Sequence, residues 1–174
     1  MKMLDKGYVQ IYMGNGKGKT TAAMGTAARC ALSGGSVYIA QFLKGQDCGE
    51  AHLPEKIDGI ELCQFGAESF ICGEPADEDI KRAEAGLESA KKAMNSGKYD
   101  IIILDEINCC MDLGVLETKT VAEFIDSKPE NVELILTGRG CPDEIVAKAE
   151  LVTEMREVKH YFNEGVEARR GIEY

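Results

Sequence analysis

Residues Gly14 to Thr21 read Gly-Asn-Gly-Lys-Gly-Lys-Thr-Thr, after the apolar run Tyr8-Val9-Gln10-Ile11-Tyr12-Met13 and before the small-residue run Ala22 to Ala28. A strand, a glycine-rich turn and a helix start in that order predict a phosphate cradle. Glycines let successive backbone N–H groups turn toward one anion, and the helix N-terminus adds its partial positive charge. In such a cradle Lys19 reaches a terminal phosphate and the Thr20 hydroxyl sits on Mg²⁺. The common form of the loop has four residues between its first glycine and the Gly-Lys pair. Counted from Gly14, this loop is one residue short.

The rest of the chain alternates strands with helices. Apolar runs predict strands over 8–13, 36–41, 60–64, 100–105 and 133–137, with a further strand starting in 151–158. Helices are expected over 19–33, 76–95, 118–127 and, briefly, 142–149. The helix over 76–95 is the clearest: Ile80, Ala83, Leu87, Ala90 and Met94 fall on one face. Asp77, Glu78 and Asp79 load its first turn, where the helix dipole favours acids. The segments 43–58 and 66–75 carry glycine and proline and read as irregular. Ile101-Ile102-Ile103-Leu104 shows no alternation, the mark of a strand buried on both faces of a parallel sheet. The expected architecture is α/β: a single domain, 1–174, with a mostly parallel, doubly wound sheet covered by helices on both faces.

The chain has 174 residues and a net charge of −10. A single core at this size buries roughly two-thirds of the unfolded surface. The acidic balance excludes a nucleic-acid wrapper, which needs a basic face, but not a nucleotide held by one local nest of N–H groups. No run approaches the ~20 apolar residues of a membrane span, so no membrane partner is expected. The seven cysteines are irregularly spaced, without a Cys-x-x-Cys pair, so neither a zinc knuckle nor a disulfide framework is expected, and free thiols in the cytoplasm are.

Ligands of open parallel sheets bind beyond the carboxyl ends of the strands. That rule brings Asp105-Glu106, which end the most apolar strand, to the same edge as the glycine loop. One of the two acids would hold Mg²⁺, directly or through water. It also brings in Thr137-Gly138-Arg139-Gly140, where Arg139 adds a cation with fork-like donors. His52 and His160 belong to no acid–base constellation and read as structural or surface residues.

The segments 14–23, Gln-Phe-Leu-Lys-Gly (41–45), Leu-Asp-Glu-Ile-Asn (104–108), Thr-Gly-Arg-Gly-Cys (137–141) and the tail 158–174, in that order, resemble the P-loop ATP:corrinoid adenosyltransferases of the coenzyme B12 pathway. The likeness implies a RecA-like P-loop NTPase fold and a reaction in which Co(I) of a reduced corrinoid attacks the 5′ carbon of ATP, releasing triphosphate. It implies that Gly14, Asn15, Gly16, Lys17, Gly18, Lys19, Thr20 and Thr21 line the triphosphate, with ATP reversed relative to ordinary P-loop ATPases. By the same resemblance Lys19, Thr20, Glu106 and Arg139 carry the chemistry, and Thr20 and Glu106 hold Mg²⁺, with Asp105 the alternative. Gln41, Phe42 and Lys44 fall near nucleotide and corrinoid. Phe70 aligns with the first member of a family Phe-x-Trp pair whose Trp is here Cys72, and Cys109 stands where the family often has an aromatic. The implied partners are ATP, a reduced corrinoid, an electron-donor reductase or flavodoxin, and a second copy in a homodimer. The chain begins about ten residues before the loop, so the family's N-terminal helical lid is expected to be absent or reduced. Two rival readings remain at this point: an ordinary P-loop ATPase or phosphotransferase, and a non-catalytic ATP- or corrinoid-binding protein.

Overall fold

The computed structural model describes residues 3–67, 71 and 73–174. Its strands are β1 (Val9–Met13), β2 (Val37–Phe42), β3 (Ile60–Phe65), β4 (Ile101–Asp105), β5 (Glu133–Thr137) and β6 (Leu151–Glu154). They form one sheet in the order β3-β2-β4-β5-β1-β6, and every pairing is parallel. The helices are α1 (Lys19–Leu32), α2 (Leu53–Lys56), α3 (Asp77–Asn95), α4 (Ile107–Asp112), α5 (Thr118–Asp126) and α6 (Asp143–Val146). None of the described helices is long and apolar enough to cross a membrane.

The continuous apolar runs resolve into two faces. Ile101 and Ile103 of β4, Val37 and Ile39 of β2 and Ile135 of β5 pack with Ala23, Met24, Ala27 and Cys30 of α1. Ile102 and Leu104, Tyr38, Ala40 and Phe42, and Leu134 and Leu136 pack instead with α3, α4 and α5. The expected doubly wound α/β fold is therefore present, with α1 and α2 on one face and α3 to α6 on the other. Each wholly buried Ile or Leu of β4 contributes about 1.5–3 kcal/mol of transfer free energy. A polar residue on either face of this strand would meet an apolar layer.

α3 follows the expected stripe: Ala83, Leu87, Ala90 and Met94 are buried, joined by Gly86 and Ala93. The Asp79 carboxylate accepts the Ala76 N–H at 3.1 Å and ties off the helix start. Other boundaries move. β6 stops at Glu154, and the helix expected over 142–149 is the single turn α6. The irregular stretch 43–58 holds a 3₁₀ turn, Gly49–His52, running into α2. α4 was not expected: Ile-Asn-Cys-Cys-Met-Asp has low helix propensity, and the helix exists because Ile107, Cys110 and Met111 bury against the core.

Candidate active site

β1, β2, β4 and β5 all end at one edge of the sheet, and the loops that follow them enclose a cavity of about 650 Å³. Its walls include Lys17, Gly18, Lys19, Thr20, Thr21, Lys44, Glu50, Glu106 and Arg139. A cavity of this size suits a small-molecule ligand.

The glycine loop is shaped by close approach and handedness. Gly16 gives its N–H to the Met155 carbonyl at 2.6 Å, and a Cβ there would meet that same oxygen at 2.6 Å. Gly18 adopts φ 114° as it starts α1, a conformation that favours glycine. The Gly14 N–H donates to the Arg139 carbonyl at 2.8 Å. The N–H groups of Gly14 and Gly16 thus hold the loop in shape. The first-turn N–H groups of α1 at Lys19, Thr20 and Thr21 have no intrahelical acceptor, as at any helix start, and are the ones free to meet an anion.

Lys19 is buried, and its Nζ donates to the Gly16 carbonyl at 2.9 Å. Burial lowers its pKa, Glu106 pulls it up and Arg139 pushes it down. The ammonium therefore feels both an acid and a second cation.

Asp105 is wholly buried at the end of β4 and accepts four hydrogen bonds. Thr20 Oγ1 (2.9 Å) and Thr137 Oγ1 (2.7 Å) donate to Oδ1; Lys44 Nζ (2.9 Å) and Gln41 Nε2 (3.1 Å) donate to Oδ2. Burial works against the Lys44 charge, but the Asp105 carboxylate, with Glu50 and Glu106 behind it, outweighs burial and raises the Lys44 pKa. Glu106 takes a left-handed backbone, φ 65°, and its N–H is held by Thr137 Oγ1 at 2.9 Å. Its side chain lines the cavity and accepts from the Cys109 thiol at 2.9 Å. That thiol is pushed up to about 12, by burial and then by Glu106, so it is a protonated donor.

Gly138, at φ 146°, turns the chain after β5 so tightly that a Cβ would lie 2.7 Å from that of Asn108. Arg139 follows: its N–H donates to Cys109 Sγ at 3.3 Å and its side chain lines the cavity.

Of the residues singled out from the sequence, Lys17 to Thr21, Lys44, Glu106 and Arg139 share the cavity wall, with Asp105 and Gln41 directly behind it. Gly14 and Gly16 shape the loop instead of lining the cavity, as their paired N–H groups require. Asn15 is not among the lining residues. The Phe42 ring is wholly buried in the core, 6.3 Å from that of Phe65, and does not reach the cavity. Phe70 and Cys72 lie outside the described residues. His52 pairs with Asp47 and Glu55 on the surface, and His160 caps the 3₁₀ turn Tyr161–Glu164.

Three contributors were given no role in the site by the sequence alone. Thr137 orients both acids; its place at the end of a buried strand was the available signal. Glu50 pairs with Lys44 at 3.3 Å, from a segment with no periodicity to mark it. Gly171 to Tyr174 of the tail form one wall, where the Ile172 carbonyl accepts from Lys17 Nζ at 2.7 Å and Glu173 lies 3.4 Å from it. Glu173 is held at about 2, by Tyr161 and then Arg169, so this wall presents a carboxylate at neutral pH.

A Thr hydroxyl beside carboxylates is a hard-oxygen donor set of the kind Mg²⁺ takes, and the Lys44 ammonium already stands among these oxygens. Among the described residues no three His, Cys, Asp or Glu side chains converge into a metal cage. That suits Mg²⁺, which is usually held by one or two carboxylates with substrate phosphates and water.

The sequence profile of the family described as ATP:corrinoid adenosyltransferase BtuR/CobO/CobP matches residues 5–174. The chain is 36% identical over 172 residues to the corrinoid adenosyltransferase of Escherichia coli (strain K12), covering 98% of this chain and 87% of that protein. It is equally similar, 36% over 172 residues with the same coverage, to corrinoid adenosyltransferase CobA of Salmonella typhimurium (strain LT2). A corrinoid adenosyltransferase of Sinorhizobium sp is 35% identical over 176 residues, covering 98% of this chain and 81% of the relative.

Proposed function

The chain belongs to the ATP:corrinoid adenosyltransferases, enzymes of adenosylcobalamin biosynthesis, and from that premise we propose how its own residues carry out adenosyl transfer. The observation that carries the proposal is the convergence of Lys19, Thr20, Glu106 and Arg139 on one cavity at the carboxyl edge of the sheet.

The cobalt of the reduced corrinoid, Co(I), supplies the electron pair. It attacks C5′ of ATP, a Co–C bond forms, the C5′–O bond breaks, and triphosphate leaves with that bond's electrons. No proton moves in this step, so no general base is required. What the protein must supply is stabilisation of a multiply charged leaving group. The N–H groups of Lys19, Thr20 and Thr21 and the Lys19 ammonium meet the triphosphate, and Arg139 meets it from the β5 side. Preorganised donors of this kind are typically worth about 10²–10³-fold in rate each. Thr20 and Glu106 would hold Mg²⁺, with Asp105 fixing the Thr20 hydroxyl from behind. The ion, when bound, adds positive charge against the departing oxygens. Glu106 suits the role because it faces the cavity, whereas every acceptor position of Asp105 is taken. Co(I) requires a strong reductant, so a separate reductase or flavodoxin supplies electrons, and the reducing cytoplasm is the compartment that suits it.

The test is product identity. The protein is incubated with ATP, Mg²⁺ and chemically reduced corrinoid. Inorganic triphosphate with a new light-sensitive Co–C bond is the expected outcome. ADP and phosphate formed without dependence on corrinoid would replace this reading with an ordinary ATPase.

A further inference from the structure

Lys44 occupies the point where the oxygens behind the cavity converge. Its Nζ is 2.9 Å from Asp105 Oδ2, 3.3 Å from Glu50 Oε1 and 3.5 Å from Thr20 Oγ1. A carboxylate has about four acceptor positions, and the Asp105 carboxylate has four donors. Gln41 and Thr137 are wholly buried, and moving either would strand a buried polar group. The Thr20 hydroxyl belongs to the metal-binding reading itself. The Lys44 side chain, 27% exposed and on the cavity wall, is the one donor with solvent to move into.

The backbone is strained to put it there. Among the described residues only two non-glycine residues have positive φ: Glu106 at 65° and Leu43, immediately before Lys44, at 57°. Backbone strain of this sort gathers at functional sites. Both follow the end of a strand at this edge: one stands immediately before Lys44, and the other carries the carboxylate that lines the cavity.

We infer that the Lys44 ammonium is a built-in stand-in for the divalent cation. It neutralises Asp105 and contacts Thr20 while the site is without nucleotide, and it gives up that place when Mg²⁺ enters with the triphosphate. A Mg–O bond of about 2.1 Å to the Thr20 hydroxyl, whose oxygen lies 3.5 Å from the ammonium, would force two cations together, so one must leave. Bare Mg²⁺ is thereby kept off the nucleotide-free protein, and the metal enters as the ATP complex. The displaced ammonium, already on the cavity wall, is then available to the incoming phosphates. This inference rests on the adenosyl-transfer reading of the same cavity.

Mn²⁺, as a paramagnetic replacement for Mg²⁺, is titrated into the nucleotide-free full chain and the free ion followed by electron paramagnetic resonance. Lys44→Gln is neutral but can still donate to Asp105; Lys44→Met removes the donor as well. Each variant that retains native circular dichroism is expected to bind Mn²⁺ at least about tenfold more tightly than wild type, since a unit positive charge has left the site. Adding Asp105→Asn to Lys44→Gln should erase the gain, and Lys44→Arg should show none. In wild type, saturating Mn²⁺ should raise acetylation of Lys44 by acetic anhydride, read by mass spectrometry, which needs no variant. Wild-type Mn²⁺ affinity in the Lys44 variants, or unchanged Lys44 acetylation with Mn²⁺ bound, would overturn the stand-in role. Adenosyl transfer by the same wild-type preparation separates that outcome from failure of the family reading.

Discussion

β4 has an aspartate at each end, and the two are used in opposite ways. Asp100, at the amino edge of the sheet, accepts the backbone N–H groups of Met3 at 3.0 Å and Ser36 at 2.9 Å. Its neighbours follow the same habit: Glu133 takes the Tyr8 N–H at 2.7 Å, and Lys128 donates to the Gly7 and Val132 carbonyls, each at 2.9 Å. Asp105, at the carboxyl edge, accepts only from side chains: two hydroxyls, an amide and an ammonium. A charge bonded to backbone fastens chain segments and has no alternative partner. A charge bonded to side chains can exchange partners, because rotamers change without unfolding anything. One edge of the sheet is fastened, and the other is poised to exchange partners with a ligand.

Asp105→Ala should break the contrast most severely. It leaves Lys44 without its main partner and three further donors without an acceptor. Loss of one member of a buried pair costs about 3–5 kcal/mol, so denaturant unfolding should register that loss and adenosyl transfer should fall with it. Lys19→Ala is expected to lower turnover by about 10²–10³-fold, the usual effect of removing a preorganised charged donor, while the circular dichroism spectrum remains native. Unchanged kinetics would take the lysine out of the mechanism. Asp100→Ala should cost about 1–3 kcal/mol for each N–H left without an acceptor, yet leave turnover per folded molecule unaltered. A turnover defect at wild-type stability would mean that the amino edge is not merely structural.

The smallest effect concerns pH. The Cys109 thiol is pushed up to about 12, chiefly by burial, from an ordinary value of 9.0. The folded chain keeps a proton there that the unfolded chain loses. The stability it contributes is complete below about 9 and drains away as the pH rises toward 12. Urea titrations across that window should show the decline, and Cys109→Ala should make it shallower.

Much of the fold could be read beforehand. Ile101 to Leu104 announced a strand covered on both faces, and α3 announced its buried stripe, because apolar periodicity is local in sequence. α4 could not be read, since six residues of weak helix propensity become helical only when Ile107, Cys110 and Met111 find the core. For the candidate site, Lys19, Thr20, Glu106 and Arg139 were chosen from strand ends and a glycine loop, and the cavity holds all four. Phe42 was placed near the nucleotide and corrinoid by resemblance to the family and turns into the core, because alternation along β2 decides which way a side chain points. Glu50 and the tail Gly171–Tyr174 carried no local pattern that ties them to the glycine loop, from which the tail lies at least 150 residues away.

Sequence alone determined the parallel α/β architecture, the strand, glycine turn and helix start around residues 14–21, and the family. These rest on runs and spacings that neighbouring residues define together. Only the tertiary structure decided which of two adjacent acids is saturated and which faces the cavity. The reason is that Gln41, Lys44, Thr20 and Thr137 come from separate loops and strands, and meet at Asp105 only when the parallel sheet brings their ends to one edge.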